Sequence, residues 1–161
     1  MRCSVIAIDY GSTISTDMID HILGQKPVDP AAATALRTLH DDYGLRLILA
    51  SNTLPCETRW PALQEAGIDD LFQVALLSYP LGVRKPAALF YRLVLAAAEA
   101  PPEQVLFVGD NVHCDVIAPM EAGMAAALVR PNGLARGEGL PPGAHLIAGV
   151  AALPALIKGG H

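Results

Sequence analysis

The chain alternates short apolar runs with longer amphipathic stretches. Cys3 to Ile8, Leu45 to Ala50, Val74 to Leu77, Val105 to Val108 and Ala125 to Val129 are apolar almost throughout. Runs this short, without polar alternation, suit strands buried on both faces of a parallel sheet. Between them, Pro30 to Tyr43 places Ala32, Ala35, Leu36 and Leu39 at helical spacing, with Pro30 fit for a first turn and Gly44 just past the end. Glu57 to Ala66 reads as a second helix stopped by Gly67. Pro86 to Ala98 reads as a third, with Leu89, Phe90, Leu93 and Ala97 on one face. A short helix between Asn111 and Gly123 must be started or kinked by Pro119, which has no N–H to donate. His145 to Ile147 reads as a small edge strand and Gly149 to Ile157 as a closing helix. Residues 10–29, carrying Asp17, Asp20, His21, Gly24 and Pro27, lack a clean period and read as a flap over the first strand end. Residues 131–143 are a loop too rich in Gly and Pro for regular structure. Strands alternating with helices predict βαβ units, a mainly parallel sheet and right-handed crossovers.

Composition narrows the class. The 161 residues, 52% apolar and 17% charged, form one globular domain, residues 1–161, with no repeat and no dividing linker. A net charge of −5 disfavours binding to a nucleic acid backbone. Cys3, Cys56 and Cys114 are odd in number and lack metal spacing, so neither a disulfide framework nor a zinc site is expected. The five histidines are scattered, and His161 reads as a tag or tail. No signal-peptide layout or membrane-length apolar run is present, so the expectation is a cytoplasmic protein with free thiols. Cys56 and Trp60 are expected to pack the second helix, and His113 and Cys114 to pack in their loop.

The chemistry gathers at strand ends. Asp9 closes the first strand ahead of Tyr10-Gly11-Ser12-Thr13, Ser51 and Asn52 close the second, Lys85 precedes a helix, and Asp110 and Asp115 follow the fourth strand. The C-terminal ends of parallel strands lie along one edge, so groups far apart in sequence can converge there. Each residue also has a plainer role available. Asp9 and Ser51 can cap turns, Lys85 can be a solvated charge, and Asp110 and Asp115 can be helix N-terminal residues.

Four motifs in order resemble the haloacid dehalogenase (HAD) superfamily. They are the strand-end Asp9, the strand-end Ser51, Lys85 within Gly82-Val83-Arg84-Lys85-Pro86, and Gly109-Asp110 with Asp115. The resemblance covers essentially the whole chain. It implies a three-layer, Rossmann-like α/β fold whose five-stranded, mainly parallel sheet runs in the order 5-4-1-2-3. It also implies a nucleophilic Asp9 that forms an aspartyl-phosphate, and a phosphoryl group held by Ser51, Asn52, Lys85 and the Gly11-Ser12 turn. Mg²⁺ would be bound by Asp9, Asp110 and the Gly11 carbonyl, with Asp115 supporting it through water.

One departure matters. In HAD phosphatases the residue two after the nucleophile is a second Asp, the general acid and base, and here it is Gly11. Such help is typically worth about a hundredfold to ten-thousandfold, so slow turnover, or turnover restricted to good leaving groups, is expected. Asp17 or Asp20 on the flap could supply the missing acid. The intervals from Asp9 to Ser51 and from Ser51 to Lys85 leave no room for a cap domain, which disfavours a dehalogenase. Two readings remain: a capless Mg²⁺-dependent hydrolase of a phosphorylated substrate, and a catalytically weakened binding or regulatory protein. An open edge would also suit a macromolecular substrate, a homo-oligomer or a protein partner.

Overall fold

The computed structural model describes residues 2–159; the expectation for His161 lies outside them. Strand β1 (Val5–Ile8) leads through the flap to helix α1 (Pro30–Asp41) and strand β2 (Arg46–Ser51). Helix α2 (Trp60–Glu65), strand β3 (Phe72–Leu77), and helices α3 (Ser78–Leu81) and α4 (Ala88–Ala98) follow. Strand β4 (Val105–Gly109) runs into a π-helical turn over Val112–Ile117, then α5 (Ala118–Glu121), β5 (Ala125–Val129), β6 (His145–Ile147) and α6 (Leu153–Gly159).

The sheet is six-stranded, in the order β3-β2-β1-β4-β5-β6, and all five pairings are parallel. The expected five-stranded order is therefore extended by one edge strand. His145–Ile147 pairs with β5 from Ala127↔His145 to Val129↔Ile147, and the Arg130 N–H reaches the Ile147 carbonyl at 2.9 Å. Strand β1 is central, and its residues are all buried because both faces are covered. Ile6 and Ile8 face a core shared with Leu36 and Leu39 of α1, Leu63 of α2, and Leu153 and Ile157 of α6. Val5 and Ala7 face the opposite core, with Phe90, Tyr91 and Val94 of α4 and Ala118 of α5. The result is three layers, α1/α2/α6, sheet, and α4/α5.

Several boundaries differ from expectation for local reasons. Helix α2 starts at Trp60 rather than Glu57, because Arg59 has φ of 67° and cannot continue a right-handed helix. Trp60 is 38% exposed and Cys56 is exposed, so neither packs the helix as expected. His113 is likewise exposed instead of packed in its loop. Helix α4 begins two residues later than Pro86 and buries Phe90, Tyr91, Val94 and Ala98, while Leu89 is 48% exposed. Tyr91 turns the helix: its ring packs edge-on to Phe90 and Phe107, both 5.8 Å away, and its hydroxyl donates to the Cys114 carbonyl. The flap is pinned by antiparallel bridges Ser15↔Val28 and Asp20↔Gln25. Pro119 lies in the first turn of α5, as its missing N–H requires. No helix among the described residues is long and apolar enough to cross a membrane.

Candidate active site

Asp9 stands one residue beyond β1. Its N–H donates to the Val108 carbonyl at 2.9 Å, so the β1–β4 pairing continues past the strand and fixes the Asp9 carboxylate beside Gly109-Asp110. Ser51 is the last residue of β2 and is fully buried, its hydroxyl donating to the Asn52 carbonyl at 3.2 Å. These ends open on a cleft of about 160 Å³ that Asp9, Gly11, Ser51, Asn52, Lys85 and Asp115 line together with Arg59, Asn111 and Cys114.

Lys85 joins the two halves of the cleft. Its Nζ lies 3.1 Å from Asp9 Oδ1 and 2.7 Å from Asp115 Oδ1, and the residue is only 3% exposed. Burial opposes its charge, but the two carboxylates outweigh that and raise its pKa. A buried ammonium is tolerated here because it is doubly paired. Two of its three protons are engaged, which leaves one for a further acceptor. Asn52 holds this lysine's main chain: its Oδ1 accepts from the Lys85 N–H at 2.9 Å and its Nδ2 donates to the Lys85 carbonyl at 3.0 Å. The Asn52 side chain, expected to touch phosphate, is thus engaged in positioning Lys85.

Asp115 is clamped as tightly. Oδ1 faces Lys85 and Oδ2 accepts the Asn111 N–H at 3.0 Å. Its carboxyl packs onto Gly109, where an added Cβ would lie 2.2 Å from Asp115 Cγ. Only glycine permits that approach. Ligand oxygens of Asp9, Asp110 and Asp115 lie within 4.8 Å of one another. Burial and crowding shift the acidities of Asp110 and Asp115. Burial, then the Asp9 charge, raises Asp110; burial raises Asp115 to about 6, with Asp9 adding and Lys85 opposing. An all-oxygen donor set with excess negative charge fits a hard cation such as Mg²⁺. Both Asp115 oxygens already accept protein hydrogen bonds, so Asp9 and Asp110 are the carboxylates freer to ligate.

Other expected residues fall elsewhere. Ser12 is exposed and outside the cleft lining, with φ of 54° and its N–H on Ser15 Oγ at 3.0 Å. Asp17 is exposed, and Asp20 caps a turn by accepting from the Ile22 and Leu23 N–H groups. Those bonds lower the Asp20 pKa, which makes it a poor acid, and neither residue lines the cleft.

Arg59 joins the site without any motif to announce it. It is 7% exposed, lies 4.4 Å over the Tyr10 ring, and occupies a left-handed conformation rare for a non-glycine residue. Such a conformation costs on the order of 1–3 kcal/mol and concentrates at functional sites. Tyr10 is itself buried, its hydroxyl donating to the Lys26 carbonyl, so the platform under the guanidinium is fixed. Burial pushes the Tyr10 phenol up to about 12. The sequence signal was slight: one basic residue between Pro55 and Pro61, in the loop that leaves the Ser51 strand end.

Known proteins resemble this chain in sequence and in fold. A model of haloacid dehalogenase-like hydrolases matches residues 8–123. The chain is 27% identical over 99 residues to a glyceraldehyde 3-phosphate phosphatase of Pyrococcus furiosus, covering 62% of this chain and 40% of that protein. It is 35% identical over 86 residues to a phosphoserine phosphatase of Thermus thermophilus, covering 53% and 34%. The chain thus spans less than half the length of either curated relative. Among solved structures, a HAD phosphatase from Thermococcus onnurineus aligns with a TM-score of 0.78 at 17% identity, over 99% of each chain. An L-2-haloacid dehalogenase from Xanthobacter autotrophicus aligns at 0.77 and 16%, over 99% of this chain and 100% of that one. At such identities the structures speak for the fold alone. With the family model covering most of its length, the chain belongs to the haloacid dehalogenase-like hydrolases.

Proposed function

We propose that this protein is a single-domain, capless Mg²⁺-dependent phosphatase that works through an aspartyl-phosphate on Asp9 and favours substrates with good leaving groups. The observation that carries this reading is the meeting of Asp9, Asp110 and Asp115 within 4.8 Å, with Lys85 bridging Asp9 and Asp115. The phosphatase relatives and the HAD fold support it.

Mg²⁺ would be held by the Asp9 and Asp110 carboxylates and the Gly11 carbonyl, with Asp115 acting through water. When bound, it supplies positive charge to the phosphoryl oxygens. The protein's own residues do the rest. Asp9 attacks phosphorus, Lys85 offers its remaining N–H to a phosphoryl oxygen, and Ser51 can turn its hydroxyl from the Asn52 carbonyl to another. Gly11 places no carboxyl in the cleft, and neither Asp17 nor Asp20 lines it, so the position from which the family's second Asp protonates an alkoxide leaving group carries no acid. Esters whose leaving group departs as a stable anion are therefore the substrates of choice.

Gly11 also favours a second reading, a phosphate-binding regulator that forms the adduct and turns over negligibly. Beryllofluoride with Mg²⁺ tests the shared first half: wild type should be modified at Asp9, and Asp9→Asn should not. Mg²⁺ alone should raise the melting temperature of wild type and leave Asp110→Asn unmoved, by mass action on the folded state. Identical behaviour of wild type and variants in both assays would refute the site. Phosphate release from an acyl or aryl phosphate then separates the enzyme from the regulator. An edge without a cap also admits a macromolecular phosphate or a second copy of the chain, and light scattering with and without the Mg²⁺–beryllofluoride adduct reports which.

A further inference from the structure

We propose that Arg59 is the receptor for the leaving group, and that the substrate is a phosphoric anhydride whose leaving group is a two-oxygen oxyanion, a carboxylate or a phosphate. This deepens the phosphatase reading and rests on it. Arg59 lines the same small cleft as Asp9 and Gly11, although it comes from the residue before α2, in the loop that leaves β2. Its guanidinium carbon lies 4.4 Å over the ring of Tyr10, the residue between Asp9 and Gly11, and so borders the turn from which the acid is missing.

The guanidinium is under-partnered for a side chain only 8% exposed, although it is ion-paired with Glu57. Nη2 makes only two long hydrogen bonds, 3.4 Å to the Asn52 carbonyl and 3.3 Å to Glu57 Oε2. Among the described residues Nε is enclosed without a partner, and Nη1, which is not enclosed, has no protein acceptor. Buried charge is normally paired and hydrogen-bonded. Here a buried cation keeps donors in reserve beside the nucleophile, on a backbone held in an unfavourable conformation.

The chemistry that fits is the departure of an anion. A guanidinium keeps its proton in proteins, so it neutralises a leaving oxygen but does not protonate it. Its planar fork matches carboxylate and phosphate oxygens two at a time. An Asp9 oxygen bonds to phosphorus, the P–O bond to the acyl or phosphoryl oxygen breaks, and its electron pair leaves on that oxyanion. No proton is needed at this step, which accounts for the tolerance of Gly11. In the second step water attacks the aspartyl-phosphate, Asp9 is restored as carboxylate, and both protons of the water depart on the product as H₂PO₄⁻.

The test compares wild type, Arg59→Gln and Arg59→Lys on acetyl phosphate, inorganic pyrophosphate, p-nitrophenyl phosphate and β-glycerophosphate. Adduct formation with Mg²⁺ and beryllofluoride is measured alongside, since beryllofluoride carries no leaving group. Arg59→Gln should lower kcat/KM for acetyl phosphate, for pyrophosphate or for both by about 10- to 100-fold, as expected for losing a charge-assisted hydrogen-bond pair. The anhydride that falls further identifies the oxyanion. Turnover of p-nitrophenyl phosphate, whose leaving group offers one phenolate oxygen, should fall less than about threefold, and adduct formation should not change. Arg59→Lys keeps the charge without the fork, should fall between the two, and serves if the glutamine variant fails to fold. Equal losses on all four substrates would place Arg59 on the transferred phosphoryl group and overturn the assignment, as would no loss on any. If wild type forms no adduct at Asp9, the phosphatase reading falls and takes this one with it. An adduct without the anhydride-selective loss sinks only this one.

Discussion

Gly11→Asp is the perturbation that most directly asks what limits the site. A Cβ at position 11 would meet no atom within 4 Å, and the Gly11 backbone is not among those in the left-handed region. The variant should therefore fold without strain, and replacing glycine removes some unfolded-state freedom, worth roughly 0.4–1 kcal/mol in comparable substitutions. The new carboxyl would stand in the cleft that Asp9 and Arg59 already line. For an alkyl ester such as β-glycerophosphate, a positioned acid is worth about 10²- to 10⁴-fold. Arg59 will hold the new carboxyl toward its ionised form, so the gain should sit near the lower end, about 100-fold, which is roughly 2.7 kcal/mol of transition-state stabilisation. The same pairing takes Arg59 away from the leaving oxyanion, so acetyl phosphate should gain nothing at its phosphorylation step. If hydrolysis of the aspartyl-phosphate limits turnover, the new base should accelerate both substrates, and a pre-steady-state burst in wild type identifies that case. The assay is kcat/KM on both substrates, with circular dichroism and Mg²⁺-dependent melting as controls. A folded, Mg²⁺-responsive variant with no gain on any phosphate would refute the idea that the absent carboxyl limits this site.

Three further outcomes follow from the packing around Lys85. Removing its charge with Lys85→Met leaves two buried carboxylates without their cation and should destabilise the metal-free protein by about 3–5 kcal/mol in urea. A loss under 1 kcal/mol would mean that the pairing contributes little. Gly109→Ala drives a Cβ into the Asp115 carboxyl and should cost about 1–3 kcal/mol while abolishing the Mg²⁺-dependent rise in melting temperature; an unchanged response would refute the clamp. Asp115, raised from 3.8 to about 6, favours folding while it is protonated. That contribution is fully present below about pH 4 and is lost as pH rises through 6. The melting temperature of metal-free wild type relative to Asp115→Asn should therefore fall between pH 4 and 6.5, while Mg²⁺ stabilisation of wild type grows over the same window. A flat difference across that range would remove the raised Asp115 from the account.

Where local pattern and global fold agreed, the sequence was sufficient. Strands buried on both faces left continuous apolar runs, so β1, β2, β4 and β5 could be read directly, and helix punctuation at Pro30 and Gly44 placed α1. Helix α4 was rotated from expectation because Tyr91 looks polar in a pattern yet buries its ring against Phe107 and satisfies its hydroxyl on the Cys114 carbonyl. Helix α2 was read too long because no residue pattern marks Arg59 as left-handed; only its tertiary contacts make that conformation tolerable.

The same distinction runs through the site. Asp9, Ser51, Asp110 and Asp115 could be singled out because strand ends in a parallel sheet share an edge, and Lys85, which precedes a helix, because the four motifs in order resemble the HAD superfamily. Asn52 was singled out as well, but what its side chain does was not legible: an amide that clasps the Lys85 main chain from the neighbouring strand end looks the same in sequence as one that binds phosphate. Arg59 was missed for a related reason. Its significance lies in what it lacks, a full set of partners for a buried guanidinium, and a deficit of hydrogen bonds appears only once every neighbour has a position. Strand ends can thus nominate a cluster of carboxylates that converge on one edge, whereas a buried guanidinium supplied by a loop has to be found by counting its unfilled donors.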